Sequence, residues 1–208
     1  MRVHLFVPSD LEKLASAVAS GADALWLEGT FEASVLRATR HQAANLKLYV
    51  CLGSLDDDLD AAMAVAPDGI VLPVRNSADV QHLGVKLAVC EAELGLADGA
   101  TRIIALVAAP GVLFQLSSCA GTSPRLTALA FDARAFAMTL GVEDMTAPPL
   151  SLARNLTVLA AKAAGVAAIL VDASANSAET CKAAKRDGFD AIVVRDPADI
   201  ATVRAALE

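Results

Sequence analysis

Eight short apolar runs alternate with Ala- and Leu-rich stretches along the chain: Val3–Val7, Ala24–Leu27, Leu46–Leu52, Gly69–Leu72, Arg102–Val107, Leu126–Phe131, Val166–Val171 and Ala191–Val194. None of them alternates apolar with polar residues. Each therefore suits a parallel strand covered on both faces rather than one with a wet side. Strands that alternate with helices build βαβ units, and eight units predict an α/β fold, the closed (βα)8 or TIM barrel. At 208 residues the chain lies at the short end of that fold's range. Residues 1–208 thus read as a single domain with short loops and no lid insertion.

Helix boundaries carry their own signals. Ser9-Asp10 precedes an apolar stripe of Leu11, Leu14, Ala15 and Val18. Ser54 and Asp56 precede the third helix, Ser77 the fourth, and Ser177 the seventh; all are side chains able to accept from a first-turn N–H. Gly21 and Gly188 sit in matching helix-to-strand turns. Gly141–Ser151, with Pro148-Pro149, reads as the one long irregular stretch, the next helix starting near Leu152.

Composition excludes several function classes. The hydrophobic share is 55%, yet no stretch approaches the ~20 uninterrupted apolar residues of a membrane helix. The excess is aliphatic and falls on helices, more than a small barrel can hide, so outer helix faces are expected to meet further copies of the chain. A net charge of −7 argues against a nucleic-acid footprint. The start enters a strand directly and lacks the apolar core of a signal peptide. Cys51, Cys90, Cys119 and Cys181 fall in separate units without CxxC spacing, which suits reduced thiols in the cytoplasm.

Active sites of this fold sit at the C-terminal strand ends, and these are poor in charge. Glu28 and Asp132, with Arg134, are the candidate catalytic groups; Arg75 and Arg195 are the candidate substrate-binding cations. Glu28, Asp132 and Asp172 together offer a relocated metal site, or Glu28 a general base. The alternative is a solvated ring in which these carboxylates pair with the arginines. Cys51 invites a nucleophile reading, but a thiolate needs a cationic neighbour or a His. His4 lies within a strand, and His41 and His82 lie on outer helices, so Cys51 reads as an apolar filler. The run Asp56-Asp57-Asp58-Asp60 falls in a helix first turn, where the dipole favours negative charge. The loop Ser174-Ala175-Asn176-Ser177 lacks the glycines of a phosphate cradle.

Certain segments, taken in order, resemble a known family over nearly the whole chain. They are Leu5-Phe6-Val7-Pro8, Ala19-Ser20-Gly21-Ala22-Asp23-Ala24-Leu25, Ala66-Pro67-Asp68-Gly69-Ile70-Val71-Leu72-Pro73, Ser123-Pro124-Arg125-Leu126 and Lys185-Arg186-Asp187-Gly188-Phe189-Asp190. The sequence is similar to the citrate lyase beta subunit and other metal-dependent, pyruvate-type (class II) aldolases. That resemblance implies a Mg²⁺ held by a Glu after strand five and an Asp after strand six, gripping an oxo-acid whose enolate it stabilises. It also implies an Arg after strand three and an acidic stretch after strand two. Here the metal-ligand positions are Ala108 and Ala135, the Arg position is Cys51, and the acidic stretch is Glu28-Gly29-Thr30-Phe31.

With no anionic ligands left at those positions, no cofactor is expected, although the family's would be Mg²⁺. The expectation is a divergent, citrate lyase beta subunit-like protein with a degenerate active site, acting as a binding or assembly subunit. The alternative is a carbon–carbon lyase or aldolase working on an oxo-acid or acyl-thioester through a rebuilt site at the mouth. Expected partners are further copies in a trimer or hexamer, as the resemblance implies, and a small acidic ligand or acyl-thioester.

Overall fold

Each apolar run forms a strand, with ends within one residue of the sequence reading: β1 Arg2–Val7, β2 Ala24–Glu28, β3 Lys47–Cys51, β4 Gly69–Pro73, β5 Arg102–Val107, β6 Leu126–Asp132, β7 Ala167–Val171 and β8 Ala191–Val194. A computed structural model describes residues 1–8, 10–29, 32, 34, 37–39, 45–171 and 177–207. In it the strands follow one another in chain order and close, all parallel, with β1 paired to both β2 and β8. This is the (βα)8 barrel that the eight runs predict.

Helices among the described residues are α1 Leu11–Ala19, α2 Leu59–Met63, α3 Ser77–Glu93, α4 Pro110–Leu113, α5 Ala133–Leu140, α6 Pro148–Ala163, α7 Ala178–Asp187 and α8 Asp199–Leu207. None of them is long and apolar enough to cross a membrane. Asp10 and Ser177 cap α1 and α7 with their side chains. Two expected caps shift by a few residues: Asp58 caps α2 and Asn76 caps α3. The largest correction is at α6, which begins at Pro148 rather than near Leu152. Pro148-Pro149 starts this helix instead of preceding it, because the first-turn N–H groups that proline lacks have no intrahelical acceptor anyway.

Each strand buries both faces. Val3, Leu5, Leu25, Leu27, Ile103 and Leu129 face the helices in one apolar cluster. Trp26, Val71, Ile104, Ile169 and Val193 fill the barrel interior with Ala128, Ala130 and Ala191, small residues that leave room for the indole. Gly69 lies against the Tyr49 ring. A Cβ there would sit 2.6 Å from the Arg102 carbonyl oxygen and 3.0 Å from the ring.

At the opposite end from the mouth, Glu91 is fully buried and accepts from the N–H of Gly99 (2.9 Å), the N–H of Thr101 (2.6 Å) and the Arg125 guanidinium (2.8 Å). Arg125 also pairs with Asp98. This cluster ties the end of α3 to the starts of β5 and β6.

On the outside, Leu152, Leu156 and Leu159 form an exposed stripe along α6, with exposed Phe114 and Met138 on the elements packed beside it.

Candidate functional site

A side chain two residues further along a strand returns to the same face. Trp26 points into the barrel, so Glu28 ends β2 on the inside; likewise Ala130 leads to Asp132 and Val193 to Arg195. These three charged groups line a cavity of about 600 Å³ at the C-terminal mouth, within the usual range of a small-molecule site. Phe6, Trp26, Val71, Leu106 and Val171 form its apolar floor. Asp57 and Asp58, from the β3–α2 connection, complete the charged part of its lining. The mouth is thus more charged than the strand ends suggest, with four carboxylates and one guanidinium among the described lining residues.

The carboxylates differ in what they hold. Asp132 caps α5, its Oδ1 accepting from the Ala135 N–H at 2.9 Å. Asp57 accepts from the Gly53 and Ser54 N–H groups and the Ser54 hydroxyl, which together lower its pKa. Asp58 accepts from the Ala61 N–H at 2.9 Å. Asp58 as a helix cap and Asp57 as a turn acceptor account for the middle of the acidic run, and the same geometry turns these two toward the cavity. Glu28 stands in register with Cys51 of β3 and across the eight-stranded ring from Asp132. Neither Glu28 nor Asp132 forms an ion pair among the described residues.

Arg195 lies over the Phe6 ring, its guanidinium carbon 4.4 Å from the centroid. Stacking presents the flat cation to the cavity at little entropic cost. It too has no carboxylate partner among the described residues. The other two candidate arginines stand elsewhere. Arg75 is exposed and forms a two-point pair with Asp79 one turn along, and Arg134 is exposed on α5; neither lines the cavity. Asp172 and His41 lie outside the described residues. Cys51 packs within the interior cluster, and burial first, then the Glu28 charge, push its thiol up, against the lowering effect of Arg195. A thiol held protonated in this way is a filler rather than a nucleophile.

Beneath the floor is a feature that residue types alone do not reveal. The Trp26 Nε1–H donates to His4 Nδ1 at 3.1 Å, and the His4 ring stacks near Tyr49 with centroids 6.1 Å apart. Burial, reinforced by Arg2 and opposed by Asp23, lowers the His4 pKa to about 4, so this imidazole is a neutral acceptor.

The sequence matches the HpcH/HpaI aldolase/citrate lyase family over residues 2–197. The chain belongs to that family. Solved structures of similar shape include RipC from Yersinia pestis, 26% identical, with a TM-score of 0.69 over 100% of this chain and 95% of that one. A citrate lyase beta subunit from M. tuberculosis, complexed with oxaloacetate and magnesium, is 23% identical at TM-score 0.72 and is covered over 96% of its length by 100% of this chain. An HpcH/HpaI aldolase/citrate lyase family protein from Burkholderia cenocepacia J2315 reaches TM-score 0.78 at 15% identity, over 99% of this chain and 93% of that one. No curated protein matches the sequence significantly.

Magnesium is the ion that the family resemblance implies. Mg²⁺ demands a near-octahedral set of oxygens. Ala108, just beyond β5, and Ala135, in the first turn of α5, end in methyl groups. Glu28 and Asp132 end strands on opposite sides of the ring. No group of three or more His, Cys, Asp or Glu side chains among the described residues is placed to share an ion.

Proposed function

We propose that this chain is a binding member of the HpcH/HpaI aldolase/citrate lyase family that keeps the barrel mouth as a ligand pocket and does not run metal-dependent carbon–carbon cleavage. One observation carries the reading. The positions that the resemblance gives to the metal ligands are Ala108 and Ala135, and Asp132, three residues before Ala135, caps the helix that carries it. Without the ion, the enolate that such cleavage generates has no electrophile to stabilise it. Arg195, stacked over an apolar floor and without a carboxylate partner among the described residues, suits a small acidic ligand. Cys51, Cys90 and Cys119 are free thiols, which fits a reducing cytoplasm. The apolar stripe on α6 supports self-association, and the family resemblance favours a trimer or hexamer.

Calorimetric titration with Mg²⁺ and Mn²⁺, with and without oxaloacetate or pyruvate, tests this reading. The expected result is no metal binding tighter than millimolar and no turnover of either acid. Metal-dependent cleavage that disappears in Glu28→Gln or Asp132→Asn would overturn it in favour of a lyase site rebuilt around Glu28, Asp132 and Arg195.

A further inference from the structure

We infer that the mouth selects acids with a single anionic group on a compact apolar body and turns away di- and tricarboxylates; this rests on the ligand-pocket reading above. Among the described lining residues, Arg195 is the one cation, and Phe6 holds its guanidinium flat at 4.4 Å. Every other charged group there is a carboxylate: Glu28, Asp57, Asp58 and Asp132. A ligand carboxylate therefore has one partner that attracts it and four groups that repel it.

Geometry makes the repulsion hard to escape. The cavity encloses about 600 Å³, so it is roughly 8 Å across, typical of a small-ligand site. Glu28 and Asp132 stand on opposite sides of it. A ligand anchored on Arg195 places its far end near one of them or over the apolar floor. A second charge at about 8 Å from a carboxylate, at an effective dielectric of about 20, weakens binding by about thirtyfold before salt screening. With a Debye length of about 8 Å in physiological salt the interaction falls to about a third, and roughly fourfold of that discrimination remains. An uncharged branched or aromatic end instead buries its surface on Trp26, Leu106 and Val171.

Two isosteric pairs test this by calorimetry at neutral pH: 5-methylhexanoate against glutarate, and 5-methyl-2-oxohexanoate against 2-oxoglutarate. In each pair an isopropyl end is exchanged for a carboxylate of similar size. The monoacid of each pair is expected to bind at least about fourfold more tightly than its diacid, the gap narrowing as salt is raised. Arg195→Gln is expected to weaken the monoacid at least about tenfold. The double variant Glu28→Gln, Asp132→Asn is expected to narrow the gap between monoacid and diacid; both replacements are uncharged, and Asn still caps α5. Equal or tighter binding of the diacids overturns the selectivity while leaving the pocket reading intact. If no acid of either kind binds, the pocket reading falls and the selectivity with it.

Discussion

Acidifying the solution from pH 8 to 5.5 removes stability through one imidazole. His4 is 4% exposed, accepts the Trp26 N–H at Nδ1, and has its pKa lowered from 6.5 to about 4. In the unfolded chain the ring takes up a proton near 6.5; in the fold it resists until about 4. Its contribution is therefore complete above pH 6.5, falls as the pH drops from 6.5 to 4, and is gone below that. The full loss is ~3 kcal/mol and the share reached by pH 5.5 is ~1.4 kcal/mol. Asp57, Asp79, Glu91 and Asp190 have pKa values held below the ordinary carboxylate range, so their losses begin mainly below the unfolded carboxylate values, and pH 5.5 isolates the imidazole.

Urea unfolding at the two pH values measures the effect, with His4→Gln as the comparison because its amide oxygen still offers Trp26 an acceptor. The parent is expected to lose ~1.4 kcal/mol more than the variant over this interval. NMR titration gives a second readout in which the His4 ring shows no inflection near 6.5. Equal losses in parent and variant, or an inflection at 6.5, would refute the reasoning.

Further outcomes follow from the same structure. Glu91→Ala strands the Arg125 charge and the Thr101 and Gly99 N–H groups, so unfolding measurements should show a loss of about 3 kcal/mol; a change under ~1 kcal/mol would mean that Asp98 alone suffices. Gly69→Ala drives a methyl against the Arg102 carbonyl and the Tyr49 ring and should cost about 2 kcal/mol in the same assay, an effect absent if the ring moves aside freely. Sedimentation at micromolar concentration should give a mass above that of one chain. The double substitution Leu152→Lys, Leu159→Lys should reduce that mass, and a monomeric parent would end the association argument.

The barrel was legible because strands covered on both faces leave uninterrupted apolar runs, and eight such runs close in only a few ways. The start of α6 was not, since Pro148-Pro149 reads equally as a break and as a first turn. At the mouth, strand phase would have separated the arginines: Arg195 continues the inward step from Val193. Arg75 lies beyond the end of β4, where Asp79 captures it, and Arg134 follows a strand that has already turned into α5. The His4–Trp26 contact left no trace in spacing, because two residues on neighbouring strands meet only when the register His4↔Ala24 brings them together. Asp57 and Asp58 were hidden for a related reason: a cap is a local pattern, whereas facing a cavity depends on where the whole turn is carried.

Trp26 is the only tryptophan in the chain, and it forms part of the cavity floor. The protein's tryptophan emission therefore comes from one indole in one place, shielded from water and tethered through its N–H to His4. Anything that settles on the floor changes the quenching and polarity around that single emitter, while an event on the outer helices leaves it dark to the detector. The barrel thus carries an intrinsic optical gauge of its own mouth, readable without label or engineered probe.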